Sequence, residues 1–294
     1  MSDVAERIAE RRDLLSPAER QVAEVVLRQP EGVAFGTVAE VAAVADTSGA
    51  TVVRLATRLG YQGFSELQAS VRVALGARPL RPAVERIRTA VGGDAGDDPV
   101  GATLVAELDN VRRTLAAVDG AAFARAVDLL ASVDRAGRPV RPVRVLAGDA
   151  QAGIGTMLAT DLGILRDDVL AVHGSPAAVT RLLGPLGGGA APVVVAIDLR
   201  RYERWVVAAA REAAAAGAVV VALTDGPLSP LAAVAEVAFA VTAEGAGPFD
   251  SHTGTLTLLN ALVTGVAARL RESATARIDA LESRWRESGA LLEG

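Results

Sequence analysis

Five short apolar runs recur in the second half of the chain, at residues 143–147, 169–172, 193–197, 219–223 and 237–241. A strand that is apolar along its whole length is buried on both faces, as in parallel sheets. Segments with helical spacing lie between the runs, at 153–165, 176–183, 202–216 and 228–235. This alternation predicts an α/β fold, a five-stranded parallel doubly wound sheet with right-handed crossovers. Ligands of such folds bind beyond the carboxyl ends of the strands.

The first half reads differently. A chain of 294 residues suggests two domains. Helical patterns separated by polar turns fill residues 1–78, and turn-rich stretches at 78–82 and 92–99 mark a linker over 79–102. Residues 103–294 then form the α/β domain, opening with helical runs at 103–118 and 121–132. Ser16, Pro17 and Glu19 spell a helix start with a capping box, and Pro30 is expected to stop that helix. Thr37 can cap a second helix with Val38, Val41, Ala42 and Ala45 as its buried stripe. Asp46, Thr47, Ser48 and Gly49 supply a turn and a new cap, and a third helix over 50–59 ends at Gly60. Val52, Leu55, Ala56 and Leu59 form its inner face, and Thr51, Arg54 and Arg58 are expected outward. Helix, tight turn and helix, with hydroxyls at the second start and guanidinium groups outside, is helix-turn-helix geometry. Such a second helix enters the major groove, where Thr47, Ser48, Thr51, Arg54 and Arg58 would meet bases or phosphates. A solvated helix face is the plain alternative for the two arginines.

Charge bears on this locally. Thirty basic residues, all arginine, face thirty-five acidic ones, for a net charge of −5. That balance does not announce nucleic acid. Between residues 47 and 78, however, Glu66 is the only acid against Arg54, Arg58, Arg72 and Arg78. Cysteine is absent, which excludes disulfides, thiolate catalysis and cysteine zinc sites. Two histidines cannot make an H-E-x-x-H site, and no G-x-S-x-G occurs. No catalytic residue, metal or cofactor is therefore assigned. Mean hydropathy is +0.32, yet no run reaches the roughly 18 apolar residues of a spanning helix. The charged start from Asp3 to Asp13 lacks the apolar core of a signal peptide. A cytoplasmic location without a membrane partner is the expectation.

Residues 37–45, the string Thr47-Ser48-Gly49-Ala50-Thr51-Val52-Val53-Arg54-Leu55, and Arg58-Leu59-Gly60-Tyr61-Gln62-Gly63-Phe64 resemble the helix-turn-helix of RpiR-type bacterial transcriptional regulators. In that family an all-α helix-turn-helix domain precedes a sugar-isomerase-like (SIS) domain, the order expected here. The resemblance implies a double-stranded DNA operator, a homodimer or homotetramer, and a small-molecule effector, a sugar phosphate or another anion. The face of Leu256, Leu259, Leu262 and Val263, with the tail helix through Trp285, is a candidate for the dimer surface or for core.

The resemblance also implies ligand loops after the first and third strands, where phosphosugar-binding members carry serine and threonine hydroxyls. This chain departs from that pattern, with Gly148 and Asp149 after the first strand and Asp198, Arg200, Arg201 and Tyr202 after the third. A carboxylate about 4 Å from a phosphate charge costs roughly 4 kcal/mol at an effective dielectric near 20. Either the two arginines offset this and bind an anion or polar molecule, or the pocket is degenerate and the domain serves oligomerisation. Thr224 and Ser229 follow the fourth strand, and Ser229 is equally suited to be a helix cap. His252, before the last long helix, could donate to a bound anion or serve as a cap, and His173 has the same standing. A sugar-phosphate isomerase with a helical appendage, using His252 or Glu244 as base, is the alternative function.

Overall fold

The computed structural model describes residues 4–74, 98–134, 140–172, 179, 190–226 and 229–290. The linker stretches at 78–82 and 92–97, the expected helix at 176–183 apart from residue 179, and His173 lie outside them. The chain divides into two compact units, residues 1–81 and 82–294.

The first unit is all helical: α1 (Val4–Arg11), α2 (Pro17–Arg28), α3 (Pro30–Phe35), α4 (Val38–Val44), α5 (Gly49–Arg58) and α6 (Phe64–Ala74). The capping boxes at Ser16/Glu19 and Thr37/Glu40 are both closed. Pro30 ends α2 as expected but also begins α3, a short helix the spacing did not reveal, because proline is equally at home in a first turn. The α3 carbonyls are taken up by α6: Gln68 Nε2 donates to Val33 O at 3.0 Å, and Arg72 Nε to Ala34 O at 2.6 Å. Val22, Val33, Val52, Leu55, Leu59 and Leu67 are fully buried at the centre of the unit.

The second unit opens with α7 (Pro99–Ala116) and α8 (Gly120–Leu130). The sheet follows: β1 (Val143–Ala147), α9 (Ala152–Leu165), β2 (Val169–Val172), β3 (Val193–Ile197), α10 (Arg204–Ala215), β4 (Val219–Thr224) and β5 (Val237–Ala240). Two long helices close it, α11 (Thr253–Arg269) and α12 (Arg271–Ser288). All pairings are parallel, in the order β2-β1-β3-β4-β5. Leu158, Leu259 and Leu262 cover one face of the sheet, and Val206 and Ala210 the other, so the sheet is doubly wound. Every residue of β1 and β3 is buried, whereas the edge strand β5 alternates. β1 is not purely apolar: buried Arg144 reaches Asp168 Oδ1 at 2.9 Å.

One expectation is corrected and one open alternative is decided. Among the described residues, 229–235, the expected crossover helix is replaced by a single 3-10 turn, Ala232–Val234, a short path with Pro230 inside it. The apolar stripe of α11 is core: Leu259 and Leu262 are fully buried against the sheet. Gly254 explains how α7 approaches the start of α11 so closely, since a Cβ there would stand 2.6 Å from Thr114 Oγ1. Among the described residues no helix is long and apolar enough to cross a membrane.

Candidate DNA-reading helix and effector crevice

α4 ends with Asp46 in the left-handed region (φ 48°). The amide of Asp46 donates to Ala43 O and that of Thr47 to Ala42 O, the doubled bonds of a Schellman cap. The chain then turns directly into α5, whose N-cap is Ser48, accepting from the Thr51 amide at 3.3 Å. α5 ends the same way, at Gly60 (φ 88°), with Gly60 N bonded to Thr57 O and Tyr61 N to Ala56 O. Arg7 NH1 donates to Leu59 O at 3.2 Å and Arg11 NH1 to Arg58 O, so two guanidinium groups from α1 sit on the negative end of the α5 dipole. Arg7 also lies 4.6 Å over the Tyr61 ring.

The expected outward stripe needs correction at one position. Thr51 is 3% exposed. It lies one turn from Leu55 and so forms the edge of the buried stripe Thr51, Val52, Leu55, Ala56 and Leu59. Its hydroxyl meets Ser48 Oγ at 3.0 Å and accepts from Arg54 NH2 at 3.0 Å, which makes it a brace beneath Arg54. Arg54 and Arg58 are exposed, Ser48 is exposed and Thr47 half-buried. Arg58 is also tied inward: its Nε reaches Glu19 Oε1 at 3.3 Å. Burial would raise the Glu19 carboxyl, but the Ser16 amide and hydroxyl and the Arg58 guanidinium outweigh that and hold it below its ordinary value. The outermost arc of α5 is Ala50, Val53, Arg54 and Thr57. Ala50, Val53 and Thr57 lie outside the pattern of capping hydroxyls and guanidinium groups by which the sequence points to this helix. The helical wheel opposite Leu55 would have revealed them.

The second site lies where the strand order reverses, between the carboxyl ends of β1 and β3. Gly148 donates to Ile197 O, and a 3-10 turn (Asp149–Gln151) leads into α9. Neither Gly148 nor Gln151 supplies a side-chain cap. The Asp149 amide donates instead to Glu203 Oε1, and the Trp205 indole to Glu203 Oε2. The Glu203 amide donates to Asp198 Oδ2 at 2.7 Å. Burial, and then the nearby Glu203 and Asp225 charges, push the Asp198 carboxyl from its ordinary 3.8 up to about 7, against the Glu203 and Leu199 amide bonds. Tyr202 donates to Asp225 Oδ1, and burial followed by the Asp225 charge raises its phenol.

The remaining expected effector contacts separate. Arg200 is committed to Glu244 at 3.0 Å, with Asp250 at 3.8 Å. Arg201 is exposed and held at φ 70°, a left-handed conformation a non-glycine residue rarely takes. Thr224 and Ser229 are buried and bonded to each other at 2.6 Å, and Ser229 Oγ accepts from the Leu231 amide. Their hydroxyls close the loop after β4 on itself. His252 stands at the N-cap position of α11, with Nδ1 buried and no partner among the described residues. The adjacent Ser251 donates to Glu107 of α7.

Residues 2–77 match the helix-turn-helix domain of the rpiR family, and residues 146–265 match the SIS domain. The chain is 26% identical over 278 residues to an HTH-type transcriptional regulator of Caldanaerobacter subterraneus, covering 92% of each. It is 32% identical over 134 residues to the HTH-type transcriptional regulator HexR of Pseudomonas aeruginosa, 44% of each. The solved structure of Vibrio vulnificus NanR complexed with ManNAc-6P shares the fold, with a TM-score of 0.59 at 22% identity over 97% of this chain and 98% of that one. The fold and the two matched domains define a helix-turn-helix regulator carrying a SIS domain. Residues 2–77 thus belong to the rpiR family of helix-turn-helix domains, and residues 146–265 to the SIS domains.

Proposed function

We propose that this protein is a sequence-specific DNA-binding transcriptional regulator whose SIS domain binds a small-molecule effector and pairs two copies. The observation that carries the first part is the exposed arc of α5, held rigid by a Schellman turn before it and by two α1 arginines behind it. A helix so presented can enter a major groove, with Val53 and the Thr57 side chain offering apolar contact to thymine methyls and Arg54 reaching guanine or phosphate. Arg54→Ala should weaken operator binding by about 1–3 kcal/mol, at one base position if it reads a base and uniformly if it holds a phosphate. Anisotropy titrations on operator variants distinguish the two, and unchanged affinity would remove α5 from the DNA.

The effector role rests on the crevice at the β1/β3 reversal, the position at which ligands meet this fold. NanR, which shares the fold, was solved with a sugar phosphate. For pairing, α7 offers a face better suited than α11. Val100, Leu104, Leu108 and Leu115 are 79%, 59%, 62% and 42% exposed. With Val111 they recur at steps of four, four, three and four residues along one line. From Leu104 on, the steps of four, three and four are those of a two-helix coiled-coil seam, which a second copy of the same helix fills by two-fold symmetry. Two-fold pairing in turn matches a pseudo-palindromic operator.

A further inference from the structure

The effector crevice already contains an anion, supplied by the chain itself. The helix that starts at Asp149 and continues through α9 points its first amide at the Glu203 carboxylate rather than outward. Backbone amides at a helix start are the ordinary cradle for phosphate. Glu203 is fixed there from two sides, by the Trp205 indole on its other oxygen and by its own amide on Asp198. Gly148 shows how tightly acceptors crowd this point: a Cβ there would lie 2.9 Å from Asp198 Oδ1, 2.9 Å from Gln151 Oε1 and 3.0 Å from Glu203 Oε1. Gln151 is 5% exposed, and its side-chain Oε1 faces this same point. An amide oxygen beside two carboxylates presents acceptors alone, so the position is built for something that donates. Arg200 does not reverse the balance, since it faces Glu244 and Asp250.

We propose that Glu203 sets the specificity of this crevice, occupying the place of a ligand phosphate and restricting the site to unphosphorylated ligands rich in donors, polyols or amines, that bond to Gln151 and Asp198. This rests on the effector role proposed for the SIS domain. It departs from the phosphorylated ligand seen in NanR.

The test uses the full chain and a panel of hexoses, hexitols and hexosamines, each paired with its 6-phosphate, together with inorganic phosphate at fixed ionic strength. Thermal shifts are read for the wild type, Glu203→Gln and Glu203→Ala, with circular dichroism confirming that the variants fold. Wild-type protein should show no saturable response to phosphate, and any stabilising compound should be the unphosphorylated member of its pair. Removing the charge should create saturable phosphate binding, tightened by about tenfold or more. A phosphorylated member that stabilises the wild type more than its partner would overturn the proposal. So would folded Glu203 variants that gain no response to phosphate. DNA binding by the same preparations is scored separately, so failure of the regulator reading is told apart from failure of this one.

Discussion

Asp198 is the residue at which burial and function meet. Its carboxyl titrates near 3.8 in the open chain and at about 7 in the fold. Between those values folding takes up a proton, so stability falls as pH rises, and above about pH 7 the whole penalty stands, on the order of 4 kcal/mol. Asp198→Asn should flatten this slope and leave the SIS domain more stable at pH 8 than the wild type, with little difference at pH 4. Both tryptophans, Trp205 and Trp285, lie in the second unit, so fluorescence-monitored urea unfolding reports that domain alone. A wild-type midpoint that does not move between pH 5 and 8 would contradict the assignment. The sequence showed that Asp198 and Arg200 sit at the strand ends but not how they pair. Asp198 turned toward Glu203 and Arg200 toward Glu244 because long loops choose among several charged neighbours, and no local spacing encodes that choice.

Among the elements, α5 and its two caps were the most legible, since capping chemistry is local. A cap at Thr47 or Ser48 and a stop at Gly60 follow from residue type alone, and the structure takes Ser48 of the two and Gly60 as expected. Thr51 was misplaced because a buried stripe five residues wide takes in flanking polar positions whose bonds are made by neighbours. The strand runs were equally plain, yet α3 and the missing crossover helix after β4 were not, because proline both starts and stops helices. The caps can be tested through their backbone angles. Gly60→Ala, at φ 88°, should destabilise the first unit by about 1 kcal/mol or more. Asp46→Gly, at φ 48°, should cost little, because glycine adopts that angle freely. Far-UV thermal melts resolve the two, and an equal loss from both would mean that the turn is not held by these angles.

At the scale of the whole molecule, the proposed regulator needs a common two-fold axis for its DNA-reading and ligand-binding units to act on one operator. Coupling then consists of an effector preferring one spacing of the two reading heads. The seam on α7 is the proposed axis. Leu104→Glu with Leu108→Glu should turn a dimer into a monomer by sedimentation and weaken operator binding, while leaving the SIS domain folded, since both side chains are already exposed. An unchanged sedimentation coefficient would place the axis elsewhere. That seam was not sought in the sequence because α7 reads as an ordinary amphipathic helix, and only its packing shows which apolar side is left uncovered. Whether α5 reads DNA is decided by letting the purified protein select fragments from its source genome beside the Arg54→Ala variant. Wild-type protein should enrich a pseudo-palindromic site, and the variant should lose it. Fragments enriched no better than input, or equally well by both proteins, would contradict a DNA-reading α5.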